Sequence, residues 1–550
     1  MNKIAKFLNA RISGFVTDKP EILAAYSRDA SILEIMPKLL FLPNNIEDIQ
    51  YVLRFTNELA KKGYQLPIAV RGSGLDQSGA DLTEGMVLST EKMNQIQEID
   101  ERGRLVRVQA GVTLGQLNSA LALFGLYLPV EADPRETIGG LISNFYTDRI
   151  AKKYGSIYYY VDRLEAVLAN GELFQSQTLT QLGLRNAKTR DGLVGKIYQK
   201  THKIIEQNQR QLQEIKQNDH SRIGYRMLTE VYSKNNEFDL APLFFGAQGS
   251  LGVITELILK VAPIPRPTKK ALFLYDDLDS SIDFMERLKK LEPVRIDFYD
   301  TRIFSQSSLE SVNTQNSHGS EDTKVMQTSK NTENSSSIFT SAKYLISTEL
   351  EDSFFKNHKH IKKMRQLSEG GYKSIIDQKD IVSQFEKLAK LLEAYRNDAE
   401  FSERVCLVDR SYIPAAELNS VIGSLAALEE IFDQPLPLFG SFATNLYSIR
   451  PAFDLSNVND RKQLLRFLQH FGKLLSDSNG TLCGGSAEGQ VQALIVNQEI
   501  PTKTRALYHE IKQLFDSNNI LAPRIKQHAS LANVVRFMRT SPQIGLIRRD

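Results

Sequence analysis

The stretch Leu66–Gly79, LPIAVRGSGLDQSG, decides how the first half of the chain is interpreted. Its apolar run Ile68-Ala69-Val70 predicts a buried strand that leads into Arg71-Gly72-Ser73-Gly74 and then Ser78-Gly79. A strand that ends in Gly-x-Gly can turn sharply, and its N–H groups can then surround a phosphate. The dinucleotide fingerprint of the doubly wound fold matches poorly, because Gln77 replaces a third small residue and no helix follows. An anion-binding turn and an ordinary tight turn therefore both remain open at this point.

Length, charge and cysteine content describe a large protein of nearly balanced charge. The 550 residues are enough for two or three domains. The 68 Lys and Arg residues face 65 Asp and Glu residues, so the net charge of +3 gives no reason to expect a nucleic-acid partner. Cys406 and Cys483 lie far apart, which excludes a disulfide framework and a zinc ribbon and favours a reducing compartment.

No apolar run approaches the roughly 20 residues that span a bilayer. We therefore expect a cytoplasmic protein. The N-terminal segment MNKIAKFLNARISGF and the basic tail containing Arg536 and Arg539 leave peripheral contact with the inner face of a membrane open.

Short strands and helices alternate along the first part of the chain. Apolar residues after Asn45 keep helical spacing, and Gly63 closes that predicted helix. The segment Leu105–Val108 alternates with arginines, as a half-buried strand does, and Val161–Leu168 before the Asn170-Gly171 turn reads as a hairpin strand. This pattern predicts an α+β fold.

Two further glycine-rich segments accompany apolar runs. In Asp133–Asn144, DPRETIGGLISN, the pair Gly139-Gly140 lies beside a strand-like stretch. Phe244–Glu256, FFGAQGSLGVITE, runs into an apolar strand, and Pro263 and Pro265 then mark a domain exit. Paired glycines indicate a close approach, either to another strand or to a flat ligand. Three such loops within about 250 residues together suggest a long, thin, anionic ligand.

The order R-G-S-G…S-G, T-I-G-G-L-I-S-N, K-Y-G and G-A-Q-G-S-L-G-V-I-T-E resembles the FAD-binding domain of the vanillyl-alcohol oxidase/p-cresol methylhydroxylase (PCMH) superfamily, in its branch of glycolate oxidases and D-lactate dehydrogenases. The resemblance covers about Pro43–Val261 and implies two α+β subdomains that enclose an extended FAD. The cofactor-binding residues that it implies are Arg71, Gly72, Ser73, Gly74, Leu75, Ser78 and Gly79 at the pyrophosphate, Pro134, Thr137, Ile138, Gly139, Gly140, Ser143 and Asn144 beside the ribityl chain and flavin ring, Gly155, and Ile254 near the adenine. Leu75 and Asp76 stand where some members carry a flavin-linking histidine, so non-covalent FAD is expected.

The predicted organisation has three parts. Residues 1–265 form a two-subdomain PCMH-type FAD-binding domain, and residues 266–480 form an α+β cap or substrate domain. The run 305–337, rich in Ser, Asn and Thr, is predicted to be a disordered insertion. Residues 481–550 form a helical C-terminal segment that returns to the FAD-binding domain.

The resemblance implies oxidation of a small 2-hydroxy acid, such as D-lactate or glycolate, by hydride transfer to flavin N5. Electrons would pass to a quinone or another carrier, since no second nucleotide fingerprint appears in the sequence. The chemistry needs a cation for the carboxylate and a base for the hydroxyl proton. Arg396 stands where a family arginine binds the carboxylate, with a surface arginine as the alternative interpretation.

The sequence departs from the branch where its catalytic histidines are expected. Gly440–Tyr447, GSFATNLY, replaces G-H-x-G-D-G-N-x-H, and Gly485–Gly489, GSAEG, covers the E-H-G position. Asn445 and Glu488 remain, and a carboxylate with an amide does not make a zinc site, so no catalytic metal is predicted.

Tyr447 could accept a proton, or form a hydrogen bond to the substrate, only if its pKa were strongly lowered; otherwise it is a packing residue. The catalytic candidates are Arg396, Asn445, Tyr447 and Glu488. The loss of the histidines keeps two alternatives open: an FAD enzyme that acts on an alcohol, sugar or aldonolactone, and a flavin-binding protein without turnover.

Overall fold

The computed structural model describes residues 3–217, 220–233, 235–304, 342–351 and 407–540, with short pieces at 364, 366–367, 373–376, 383–389 and 392. The chain divides into two compact units. The first unit comprises Met1–Asp148, Ser156–Ile264 and Thr481–Asp550, and the second comprises Arg149–Gly155 and Pro265–Gly480. The predicted insertion at 305–337 and the candidate Arg396 lie outside the described residues.

The first unit contains a four-stranded sheet built from β1 (Phe15–Thr17), β2 (Leu39–Leu42), β3 (Ile68–Arg71) and β4 (Met86–Ser89), in the order β1-β2-β4-β3. Strands β2, β4 and β3 run parallel, and β1 runs antiparallel to β2. The helix Ile46–Lys61 begins at Asn45, whose side chain accepts a hydrogen bond from the Asp48 N–H. The C-terminal segment pairs with β3, because the Ile68 N–H donates to the Ile520 carbonyl.

A second sheet of the first unit is antiparallel and has five strands. It consists of β5 (Ile96–Asp100), β6 (Leu105–Gln109), β8 (Val161–Val167), β9 (Leu173–Gln175) and β10 (Val253–Lys260), in the order β5-β6-β10-β8-β9. Two short strands, β7 (Leu126–Tyr127) and β11 (Ala262–Pro263), pair beside it. The strands predicted near residues 105, 161 and 253 are present, and the α+β prediction is confirmed.

Within the described residues, the other α-helices of the first unit are Lys3–Asn9, Pro20–Leu23, Leu114–Ala122, Ile138–Ser143, Gln181–Lys188, Gly192–Gln207, Gln209–Gln217, Ala493–Glu499, Thr502–Phe515 and Leu531–Phe537. The strand-like interpretation of the Gly139-Gly140 segment is wrong, since Ile138–Ser143 is helical. Thr137 begins this helix by accepting a hydrogen bond from the Gly140 N–H. The glycine there does permit a close approach: a Cβ on Gly139 would lie 2.8 Å from the Ala110 Cβ.

The second unit is built on a seven-stranded antiparallel sheet in the order β15-β12-β14-β13-β17-β18-β16. Its strands are β12 (Thr268–Tyr275), β13 (Arg295–Asp300), β14 (Tyr344–Glu351), β15 (Lys373–Ile376), β16 (Val408–Tyr412), β17 (Phe439–Ser441) and β18 (Leu446–Ile449). Its helices include Ala151–Tyr154, Leu278–Lys289, Leu418–Phe432 and Val458–Asp477. The Phe284 and Phe273 rings, 4.5 Å apart, pack one of these helices on the sheet.

Across the part of the chain that the structure describes, no helix is both long enough and apolar enough to cross a bilayer.

Candidate functional site

A groove in the first unit is lined by all three glycine-rich segments and holds about 700 Å³ of space free of protein atoms, open solvent at its mouth included. The segments are distant in sequence, but β3, the helix Ile138–Ser143 and β10 bring their ends together. Nine predicted cofactor residues line this groove: Gly72, Ser73, Gly74, Leu75, Gly139, Gly140, Ser143, Asn144 and Ile254.

The other predicted cofactor residues lie elsewhere. Arg71, Ser78, Gly79, Pro134, Thr137 and Ile138 belong to the first unit but are not part of the groove lining, and Gly155 belongs to the second unit. Arg71 is buried, and its guanidinium lies 3.2 Å from the Asp81 carboxylate and donates to the Arg28 carbonyl. Thr137 caps its helix and contacts Gly72, whose added Cβ would lie 2.1 Å from the Thr137 hydroxyl oxygen. These two residues support the loops rather than face the groove.

The sequence interpretation missed acidic residues in the lining. Asp76, Asp81 and Glu136 all line the groove. The Asp76 carboxylate accepts hydrogen bonds from the N–H groups of Ser78, at 3.0 Å, and Ala80, at 2.9 Å. The Asp76 carboxylate therefore occupies backbone N–H donors of the turn that was predicted, from the sequence, to bind a phosphate. Asp76 lies within the first glycine-rich stretch and Asp81 directly after it, so the sequence carried a signal for this arrangement.

Asp29 joins Asp76 and Asp81 in the one group of three acidic side chains, among the residues described, that is close enough to share a metal ion. Burial raises the pKa of Asp29 well above its ordinary value, and the charges of Asp81 and Asp76 add to this shift. Burial also raises the pKa of Asp81, although the Arg71 guanidinium opposes the rise. These shifts favour a proton held by the Asp29–Asp81 pair, which reduces the negative charge beside the groove.

Gln248, Gly249 and Gly252 also line the groove, although only Ile254 was assigned from this third segment. Gln248 and Gly249 both have left-handed backbone conformations, with φ of 50° and 75°. A Cβ on Gly249 would lie 3.0 Å from a Val70 methyl group, so the third loop packs directly on β3.

The loop of residues 485–490, in the C-terminal segment, packs behind the groove. The Gly489 N–H donates to the Gln248 side-chain oxygen at 3.0 Å. The Gln490 N–H donates to the Ser78 carbonyl at 2.9 Å, and its side-chain amide donates to the Gly79 carbonyl. Ser78 and Gly79, predicted to contact the pyrophosphate, are therefore held by this loop.

Glu488, predicted as catalytic, is completely buried and does not line the groove. One of its carboxylate oxygens accepts from the Gly224 N–H at 2.8 Å, and the other lies 3.1 Å from the Lys526 ammonium. Lys526 is itself 1% exposed. The carboxylate is occupied by a buried ion pair that links two parts of the C-terminal segment.

Asn445 and Tyr447 belong to the second unit. Asn445 lies in the turn between β17 and β18 with φ of 58°, and Tyr447 lies on β18 opposite Gly440. Burial raises the pKa of Tyr447 well above its ordinary value, and Glu286 and Tyr412 add to the shift. The lowered pKa on which a proton-accepting role of Tyr447 depends is therefore not found, because burial favours the neutral phenol.

Comparison with known proteins places these two units in a family. The family described as "FAD binding domain" matches residues 37–176, and that described as "FAD linked oxidases, C-terminal domain" matches residues 264–525. The glycolate oxidase subunit GlcD of Bacillus subtilis is 24% identical over 90% of this chain and 91% of its own length. D-2-hydroxyglutarate dehydrogenase of Pseudomonas putida is 31% identical over 54% of this chain, and D-lactate dehydrogenase of Archaeoglobus fulgidus is 27% identical over 47%.

The chain spans only 30% of the Pseudomonas putida enzyme and 47% of the Archaeoglobus fulgidus enzyme. Among solved structures, p-cresol methylhydroxylase with substrate bound has a TM-score of 0.65 at 15% identity, covering 94% of each chain. The 4-ethylphenol oxidase from Gulosibacter chungangensis also gives 0.65, at 13% identity over 94% of this chain and 95% of its own. At such low sequence identity, this structural similarity shows a shared fold and nothing further.

Together the two family matches cover well over half of the sequence. They agree with the predicted resemblance and with FAD as the cofactor. The chain belongs to the FAD-linked oxidases, with an FAD-binding domain followed by the family's C-terminal domain.

Proposed function

We propose that this protein is an oxidoreductase that oxidises a small 2-hydroxy acid, of the D-lactate or glycolate type, with FAD held non-covalently in the groove of the first unit. The observation that carries the proposal is that three glycine-rich segments line one groove. The names of several relatives support the substrate class: D-2-hydroxyglutarate, D-lactate and glycolate all have a hydroxyl group on the carbon next to a carboxylate.

The groove suits a flat nucleotide. Because Gly72 and Gly139 have no side chain, Gly72 can lie against Thr137 and Gly139 against Ala110, so the glycine-rich loops pack closely on their neighbours around the groove. The lining residues predicted from sequence, together with Gln248 and Gly249, would contact the cofactor. Arg71, through its ion pair with Asp81, would keep the acidic side of the groove compatible with a pyrophosphate.

Bound flavin supplies a hydride acceptor at N5 for the hydrogen on the hydroxyl-bearing carbon. Arg396 remains our candidate for the substrate carboxylate, since a guanidinium can bind both oxygens of a carboxylate at once. Asn445 remains a candidate hydrogen-bond partner. We assign Glu488 to anchoring the C-terminal segment, because both of its oxygens are already bonded. A quinone or another carrier is the proposed electron acceptor.

Anaerobic titration of the purified holoprotein tests the proposal. We expect D-lactate, glycolate or D-2-hydroxyglutarate to bleach the flavin absorption band, whereas L-lactate, used as a matched enantiomer, does not. An Arg396→Met variant should retain FAD and lose the bleaching. Bleaching by an alcohol, sugar or aldonolactone but by no hydroxy acid would contradict the proposed substrate class. It would favour the alternative that the protein is an FAD enzyme of the same fold that acts on one of those compounds.

A flavin-binding protein without turnover is the second candidate. The observation that favours it concerns two predicted catalytic residues: burial raises the pKa of Tyr447, and Glu488 is paired with Lys526. Such a protein would be reduced by dithionite and by no member of the substrate panel. Reduction of the bound flavin by any hydroxy acid, followed in a stopped-flow experiment, would exclude a protein without turnover.

A further inference from the structure

Gln248 lies where the glycine-rich segments meet the C-terminal loop of residues 485–490. Its side-chain oxygen accepts from the Gly489 N–H at 3.0 Å, and its side-chain amide donates to the Ser78 hydroxyl and to the Asn144 side-chain oxygen, each at 3.2 Å. The residue is 6% exposed, yet it lines the groove. One carboxamide therefore links the first loop, the second loop and the C-terminal segment.

These hydrogen bonds have a fixed direction. A backbone N–H can only donate, so the Gly489 N–H requires the oxygen of the Gln248 carboxamide and turns its NH₂ group toward Asn144. The Asn144 oxygen then accepts, and its own NH₂ group is directed toward the Asp76 carboxylate, 3.4 Å away at the groove. The Gly489 N–H thus determines the orientation of the Gln248 amide, and Gln248 together with the Asp76 carboxylate determines that of Asn144.

We propose that Gln248 is a positioning residue, which orients Asn144 so that the groove presents an N–H donor, rather than a carbonyl oxygen, to acceptor atoms of the flavin nucleotide. This inference rests on the proposed position of FAD in the groove. Flavin carbonyl oxygens and ring nitrogens gain electron density on reduction, so an N–H donor stabilises the reduced form more than the oxidised form. The orientation of one amide would therefore influence both FAD affinity and flavin potential.

Glutamate at this position would reverse the arrangement. A Gln248→Glu side chain can still accept from the Gly489 N–H, but its carboxylate has no hydrogen to donate to Asn144. Asn144 would then rotate its amide to donate to residue 248, giving up its long hydrogen bond to Asp76, and would present its oxygen to the groove. Gln248→Met is the matched control, because it removes the hydrogen bonds of residue 248 and leaves the Asp76 carboxylate alone to orient Asn144.

The test compares flavin properties of the holoproteins. We expect Gln248→Glu to raise the FAD dissociation constant by about tenfold. We also expect it to lower the midpoint potential and shift the visible flavin band, with smaller changes in Gln248→Met. In an Asn144→Ala background, Gln248→Glu should cause no further shift in potential or spectrum.

If Gln248→Glu does not fold, Asn144→Asp reverses the groove polarity without changing residue 248 and should lower the potential in the same direction. A potential and spectrum unchanged from wild type, in either variant with FAD bound, would overturn the inference. An equal shift with and without Asn144 would also overturn it, because Gln248 would not then act through Asn144. Failure of the wild-type protein itself to bind FAD would instead refute the proposed function.

Discussion

Replacing Lys526 by methionine should loosen the C-terminal segment from the rest of the first unit. The Lys526 ammonium lies 3.1 Å from a Glu488 oxygen and 3.3 Å from the Gly224 carbonyl, and both side chains of the ion pair are almost completely buried. Methionine has a similar length and no charge. The variant leaves the Glu488 carboxylate buried and without its cation, while the Gly224 N–H still donates to it.

The magnitude follows from the burial of both partners. Removing one partner of a buried ion pair destabilises a protein by about 3–5 kcal/mol, because the other charge is left uncompensated. Removing both charges together costs much less. In Glu488→Gln/Lys526→Met the glutamine oxygen can still accept from the Gly224 N–H, so we expect the double variant to recover at least about 2 kcal/mol of that loss.

Thermal melting and the loss of bound FAD on heating measure the effect. Lys526→Met should melt well below wild type, the double variant should melt close to wild type, and Lys503→Met, at an exposed position, should change neither. Equal melting of the single and double variants would refute the reasoning. If the double variant is stable and binds FAD but no longer bleaches with substrate, Glu488 is catalytic, contrary to our assignment.

Three further predictions concern the first unit. Burial, with the Glu488 charge adding to it, raises the pKa of the Cys483 thiol well above its ordinary value, so this thiol should resist maleimide at pH 8 in the native protein; rapid labelling of Cys483 detected by mass spectrometry would contradict its burial. Burial raises the pKa of Asp29 above 3.8, so the native state holds a proton that the unfolded chain releases. The free energy of unfolding should therefore fall as the pH rises above about 3.8 toward the raised pKa of Asp29 in the folded protein. Asp29→Asn can donate a hydrogen bond to Asp81 and should flatten this dependence, raising the melting temperature at pH 7 by about 1–2 °C; a slope of melting temperature against pH equal to that of the wild type would refute the prediction. Gly72→Ala places a methyl group 2.1 Å from a threonine hydroxyl of the second loop and should weaken FAD binding at least about tenfold. The control Gly423→Ala, in the second unit, meets nothing within 4 Å and should leave the dissociation constant unchanged; equal constants for the two variants, measured by fluorescence titration, would exclude the clash.

The predictions that hold depend on local properties of the chain. Glycines that bend the backbone, the helix that begins at Asn45 and the apolar strand before Lys260 can all be read from a few neighbouring residues. The segment Ile138–Ser143 shows the limit of local patterns, because a short apolar run suits a strand or a buried helix equally well. Thr137, which caps this helix, is the local signal that distinguishes the two.

Predictions about individual side chains depended on partners that are distant in sequence. Arg71 lies in the middle of the first glycine-rich stretch, but its guanidinium pairs with the carboxylate of Asp81, and Arg71 itself is not part of the groove lining. Tyr447 has a raised pKa because the surrounding structure buries it completely. Neither the direction of a side chain nor its burial follows from spacing along the chain.

The alternation of short strands and helices along the sequence was enough to predict the α+β class, and the order of the glycine-rich motifs carried the resemblance that implied the family and FAD as the cofactor, because both are local properties of the chain. Only the tertiary structure paired Glu488 with Lys526, gathered Asp29 beside Asp81, and placed Gln248 between the first two loops and the C-terminal segment. Hydrogen bonds and desolvation act over a few ångströms. The groups that they join here are separated by tens to hundreds of residues of chain, so their roles follow from the folded arrangement and not from the sequence alone.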